Sequence, residues 1–164
     1  GYNGDDLFAP TSMEVASTVN EYNIMFCSEY NINTDDSKAN IPGVLYGRYH
    51  GDDYAGGNPW GLTTAALGNL FYRGGNYIKA HGLPDSDAIA IWSEIFGISN
   101  SNINSDSFIA AGDSVMNRIR YHVEGKKFHL DEQLDRNTGV EMSAEDLTWS
   151  YAEVLNAMAS RDKY

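Results

Sequence analysis

The chain has 164 residues, 42% of them hydrophobic and 12% aromatic, with a formal net charge of −12 and a sequence pI of about 4.5. Such a polyanion repels nucleic acid and anionic membrane surfaces, which excludes both as partners, while a neutral ligand such as a sugar is indifferent to it. The apolar content suffices for a packed core, and no stretch approaches the ~20 apolar residues needed to span a bilayer.

The length fits one domain or part of a larger one. The first ten residues, GYNGDDLFAP, lack the basic-then-apolar profile of a signal peptide. The single cysteine, Cys27, cannot close a disulfide within the chain and is expected as a buried thiol.

Helix signals then dominate. Thr11 and Glu14 read as a capping box ahead of Val15, Val19, Tyr22 and Phe26, so the spacing predicts a helix over residues 12–30. Residues 31–57 are rich in Asn, Asp and Gly and read as a long loop. A second helix opens at Asn58 and Pro59, runs through Leu62, Ala66 and Leu70, and is expected to stop before Gly74 and Gly75. A third covers residues 86–97, capped by Asp85 or Ser86 and ended by Gly97. A fourth spans residues 106–123, with Phe108, Val115, Ile119 and Val123 on one stripe. A second polar loop, residues 124–142, leads to a last helix that starts with Ser143 and Asp146 as a capping-box pattern. That helix carries Leu147, Tyr151, Val154, Leu155 and Met158. With no strand of real length and no repeat, the class is all-α.

Two long polar loops are unusual between packed helices, where connections usually run about 2–8 residues. They are therefore where chemistry is expected. The first ends in GRYHGDDYAGGNPW, residues 47–60, which sets Arg48, Asp52, Asp53, two tyrosines and Trp60 among glycines. Sugar sites use that mixture, with charged groups chelating hydroxyls and aromatic faces packing on the ring. The same composition equally suits an ordinary turn pinned by an Arg48–Asp52 pair. The second loop contains HLDEQLDRNTG, residues 129–139, whose Asp131, Glu132 and Asp135 are carboxylates of the kind used in acid–base hydrolysis. Solvated bystanders would look the same. His50, His81, His122 and His129 lack zinc-ligand spacing, and no acidic run matches a calcium loop, so no metal or other cofactor is expected.

Three motifs taken together resemble fungal-type glucoamylases, glycoside hydrolase family 15. GRYHGDDYAGGNPW is similar to the family's GRYPEDxYxxGNPW. LDEQLDRNTG is similar to its SEQxD loop, and SAEDLTWSYAEVL, residues 143–155, to its SARDLTWSYA helix. They stand in the family's order and at comparable spacing, and the likeness runs across nearly the whole chain, including PDSDAIAIW at residues 84–92.

The resemblance implies an (α/α)6 barrel, of which residues 1–164 would supply about the last five helices, incomplete on their own. It also implies exo-hydrolysis of starch-type α-1,4-glucans, slowly of α-1,6 branches, releasing glucose with inversion and without a metal. On that resemblance Glu132 would be the general base and Arg48 would bind sugar hydroxyls, with Asp52 orienting the arginine. Tyr54 would meet the leaving-group sugar, and Trp60 and Trp149 would wall the first sugar.

Inverting hydrolysis needs two carboxyl groups about 6.5–9.5 Å apart. The family's general acid lies in the first half of its domain, so the expected partners are an α-glucan substrate and the N-terminal half of the same catalytic domain. An extracellular, secreted parent is the matching location. Departures from the motifs are His50 and Gly51 after GRY, Asp131 before the catalytic glutamate, and Glu145 in the last helix. Pointing inward, Asp131 would repel the charge on Glu132. The rival reading is a non-catalytic α-glucan-binding or helical interaction module that kept the loops and lost the chemistry. If the loops carry one site, both must lie at the same end of the helices, which makes the helix at residues 86–97 extra to a simple up–down alternation.

Overall fold

A computed structural model of the chain describes residues 8–164, so most of the N-terminal stretch compared above with a signal peptide lies outside the described residues. Among these, six α-helices carry the structure: α1 (Met13–Phe26), α2 (Asn31–Lys38), α3 (Gly61–His81), α4 (Ser86–Phe96), α5 (Ser105–Val123) and α6 (Thr148–Asp162). One two-residue hairpin, β1 (Gln133–Leu134) with β2 (Glu141–Met142), interrupts the second loop.

The all-α reading holds, with one more helix than the periodicity shows. The predicted first helix ends early, at Phe26, and the extra helix, α2, forms inside the segment expected to be loop. In its first turn Asn33 points its side chain inward, donating to the carbonyls of Phe26 and Leu45 at 2.9 Å and accepting from the Leu45 amide at 2.9 Å. The helix α2 (NINTDDSK) has no apolar stripe, which is why its sequence reads as loop. Tertiary contacts hold it instead. The fully buried Arg118 on α5 reaches Asp36 at 2.7 Å and the carbonyls of Pro42 and Ile41 at 2.9 and 2.7 Å, and His122 reaches the same Asp36 oxygen at 2.7 Å. At the N-terminus Ser12, not Thr11, caps α1. The thiol of Cys27, expected to be buried, is exposed just past the end of α1.

The second predicted helix, α3, does not stop at its glycine pair. A Cβ on Gly74 would lie 2.6 Å from Phe108 Cδ1, and one on Gly75 would lie 2.8 Å from Ile109 Cδ1 and 3.0 Å from the Ser105 carbonyl. These glycines mark a close crossing with α5. Alanine there would gain about 1 kcal/mol of helix propensity but cost about 1–3 kcal/mol in overpacking. Packing therefore outweighs the local signal to stop.

Along the α3–α5 contact Gly75 meets Ile109, Gly68 meets Met116, and Ala65 clusters with Ile119, so the two helices run antiparallel. The helix α6 runs parallel to α3: Ser150 lies beside Gly61 at its start, and Asn76 donates to the Ser160 carbonyl at 2.8 Å near its end. The start of α3, the end of α5 and the start of α6 thus share one end of the molecule. The helix α4 stands outside this set and packs on α1. Its Trp92 is fully buried, donates to the Thr11 carbonyl at 2.9 Å and meets Phe108 edge-on at 4.7 Å. Leu155 and Met158 on α6, at positions expected to be apolar contacts, remain exposed at 62% and 54%.

Candidate active site

The first loop springs from a closed neck. Buried Tyr46 accepts from the Trp60 amide at 2.9 Å and from the Thr63 hydroxyl at 2.7 Å, while its own amide donates to Thr64 Oγ1 at 3.0 Å. Thirteen residues, 47–59, leave and return through this neck, and the return needs glycine: at Gly57 φ is +64°, and a Cβ would lie 2.2 Å from the Asp52 carbonyl. Asn58, predicted as a helix cap, does not cap α3; Trp60 occupies that position.

Inside the loop Arg48 forms a fork with Asp52, Nε to Oδ2 and Nη2 to Oδ1, both at 2.7 Å. Three aromatic rings surround the guanidinium carbon, Trp60 at 4.7 Å, Tyr54 at 4.9 Å and Tyr49 at 5.3 Å from their centroids. The Tyr54 amide donates to Asp52 Oδ1 at 3.1 Å. The Arg48 hydrogen bond is the main reason the Asp52 carboxyl is held below its ordinary value, and the same bond raises Arg48 above its own. The pair is therefore charged at any ordinary pH. Tyr54 is exposed, while Trp60 is buried with no acceptor for its indole N–H among the described residues. Four of the predicted residues, Arg48, Asp52, Tyr54 and Trp60, thus come together in one cluster.

The second loop folds back through a tight turn. The Asp135 carboxylate accepts from the amides of Asn137 at 3.0 Å and Thr138 at 2.8 Å, which holds its carboxyl below the ordinary value. Its role is local. Glu132, half-buried just before β1, accepts at Oε2 from the Ser143 hydroxyl and from Gln133 Nε2 at 3.4 Å. Its amide donates to the Ala144 carbonyl at 2.9 Å.

Asp131 does not face Glu132. It is buried, accepts from Lys126 Nζ at 2.9 Å and from the Asp146 amide at 3.1 Å, and the lysine balances its charge. Behind it Glu141 accepts from the Asp131 amide at 3.0 Å, and burial pushes its carboxyl above the usual range.

The predicted start of the last helix belongs to this region too. Ser143 and Asp146 adopt left-handed backbone, φ +73° and +51°, so neither caps a helix that begins at Thr148. The first turn of α6 instead clamps the Glu132 segment. Ser150 Oγ donates to the Asp131 carbonyl at 2.9 Å, and the Leu130 amide donates to Tyr151 Oη at 3.1 Å. Immediately before these two residues, Trp149 stands 57% exposed on the same turn.

The two loops are joined directly. Trp60 and Gln133 form an antiparallel bridge, and the Leu134 amide donates to the Pro59 carbonyl at 3.0 Å. Asn58 donates to Gln133 Oε1 at 3.0 Å and accepts from the Arg136 amide at 3.1 Å. Arg136 continues the joint, donating to the Gly57 carbonyl at 3.2 Å and to Glu29 Oε1 at 3.0 Å. Sequence reasoning singled out none of Asn58, Gln133, Arg136 and Ser143 for these contacts. The available signal was the pair of Gln133 beside Glu132; the others act across more than seventy positions or through an unusual backbone angle.

Known proteins resemble the chain in sequence and in fold. A family model for glycosyl hydrolases family 15 matches residues 2–159. The glucoamylase of Blastobotrys adeninivorans is 32% identical, the alignment covering 99% of this chain and 30% of that protein. An intracellular, sporulation-specific glucoamylase of Saccharomyces cerevisiae is 27% identical over 91% of this chain and 32% of its own length. The solved family 15 glucoamylase from Hypocrea jecorina superposes with a TM-score of 0.78 at 30% identity, over 95% of this chain and 28% of that one. The chain thus spans about a third or less of the relatives it matches. Its helices are the corresponding part of an (α/α)6 barrel, and the chain belongs to glycosyl hydrolase family 15.

Proposed function

We propose that the protein to which this chain contributes is a glucoamylase, releasing glucose from non-reducing ends of α-1,4-glucans, and slowly at α-1,6 branches, with inversion. The observation that carries the reading is the joint between the loops, because it brings a half-buried carboxylate and an aromatic-lined arginine to one end of the helices. Glu132 takes the proton from the water that attacks the anomeric carbon. The Ser143 hydroxyl and the Gln133 amide, both donating to Oε2, orient the carboxylate for that step.

Arg48, already fixed by Asp52 on its Nε and Nη2 edge, donates from the remaining N–H groups to sugar hydroxyls. Tyr54 meets the leaving-group sugar, and Trp60 and Trp149 form apolar walls around the first sugar. The general acid that protonates the departing oxygen comes from the N-terminal half of the same domain, outside this chain, and the reaction uses no metal. That half also covers the exposed Leu155 and Met158 on α6. An exposed starch-type substrate fits secretion, although the Saccharomyces cerevisiae relative is described as intracellular.

The test is Glu132→Gln in the full-length protein. The amide keeps the size and removes the base, so turnover of maltotriose falls by roughly 10²–10⁴ with little change in KM. Asp135→Asn, which alters only a turn, costs far less. Near-normal turnover by Glu132→Gln overturns the assignment. Binding of maltose without any hydrolysis by the full-length protein favours the non-catalytic module instead.

A further inference from the structure

We infer that Asn58 is a positioning residue for Glu132, acting through Gln133. The inference rests on the reading of Glu132 as general base. Three oxygen or nitrogen neighbours fix the Asn58 amide, which is 3% exposed, and Met142 Sδ lies 3.4 Å from its Nδ2. Its Oδ1 faces an N–H donor, the Arg136 amide at 3.1 Å, while Nδ2 faces the Ala55 carbonyl at 2.8 Å and Gln133 Oε1 at 3.0 Å. A flipped amide would set oxygen against two oxygens and nitrogen against a donor, so only one orientation is stable.

That orientation dictates the next. Gln133 is 1% exposed, and its Oε1 is occupied by the proton from Asn58, so its Nε2 is the end turned to Glu132 Oε2. Without Asn58 the glutamine amide has no partner selecting its sense. A reversed amide places a carbonyl oxygen against the Glu132 carboxylate, replacing a donor by a repulsion.

The arrangement also links the two halves of the site. Asn58 belongs to the loop that carries Arg48, whereas Gln133 and Arg136 belong to the loop that carries Glu132. Polar side chains at buried joints of this kind specify geometry more than they add stability, since both partners give up water to meet. The expected signature is therefore kinetic.

The experiment is Asn58→Asp in the full-length protein, measured for kcat and KM on maltotriose and for melting temperature, alone and combined with Glu132→Gln. The aspartate keeps the acceptor for Arg136 and loses the donor to Gln133. Turnover is expected to fall about 10- to 100-fold with KM within about twofold. The melting temperature falls as well, because a buried carboxylate oxygen then faces the Ala55 carbonyl, so kcat is read well below that transition. In the Glu132→Gln background the substitution is expected to have almost no further effect, because the group it orients is gone. Unchanged kcat, a loss carried in KM, or a full additional loss in the double variant overturns the inference. If Asn58→Asp does not fold, Asn58→Ser, smaller and neutral, is read by the same criteria. A normal Glu132→Gln enzyme sinks the general-base reading, whereas an impaired Glu132→Gln beside a normal Asn58→Asp sinks this inference alone.

Discussion

Two arginine–aspartate pairs, each closed at 2.7 Å, do opposite things in this chain. Arg118 with Asp36 is sealed, their side chains 1% and 6% exposed, whereas Arg48 with Asp52 is open on the arginine side, at 32% and 4%. Arg118 spends its donors on Asp36, Asn33 and the carbonyls of Ile41, Pro42 and Gly43. Arg48 binds only its aspartate along one edge and turns the rest of the guanidinium to a ring of aromatics. Burial depresses Arg118 below the usual arginine value, while the bond to Asp52 raises Arg48 above it. One motif therefore serves as a peg when saturated and leaves donors to spare when half-used.

The largest expected effect breaks the peg. Arg118→Met leaves Asp36 buried with only His122 beside it and frees the segment that leads into the first loop. Chemical denaturation of the full-length protein should show a loss of about 3–5 kcal/mol. A loss under about 1 kcal/mol would mean that the sealed pair is no more structural than the open one.

The open pair should respond in binding instead. Arg48→Lys keeps the charge but not the planar fork, so KM for maltotriose should rise about tenfold or more while the melting temperature barely moves. A large thermal loss with unchanged KM would reverse the comparison.

The smallest effect is a titration. The carboxyl of Asp52 is held low chiefly by Arg48, so the folded state binds this proton less readily than the unfolded chain. The loop therefore gains stability from the pair above the ordinary aspartate range and loses it as pH falls through the depressed folded value. Carboxyl chemical shifts followed against pH should place Asp52 below the ordinary range, and Arg48→Met should return it there. An unmoved titration would show that the neighbouring amide of Tyr54 holds it alone.

The sequence carried the class and the two loops that the fold joins, and it failed where a residue's meaning lies across the fold. Apolar spacing located α4 and α5 closely, and Gly97 ends α4 in left-handed backbone as expected. Gly74 and Gly75 carry the local signature of a stop, yet their reason is Phe108 and Ile109 on another helix. The segment NINTDDSK has no pattern of its own because an arginine more than eighty positions away holds it. At the site, Arg48, Asp52, Tyr54 and Trp60 were legible since one motif contains them all. Asn58 was misread because a helix cap and an amide bridge look alike in sequence. Asp131 was placed among the acids of the loop, but its direction depends on Lys126, which no spacing announces.

The shared end of α3, α5 and α6 also has a complement. At the opposite end, the connection around Gly82 touches little: a Cβ there meets nothing within 4 Å, and Leu83 beside it is 54% exposed. Change of length is cheap there and costly at the stitched end, where one inserted residue shifts the register between Pro59 and Leu134. Insertions or attached segments are therefore tolerated at the far side more readily than between the two joined loops. An epitope or a fluorescent label belongs at residues 82–84 for the same reason.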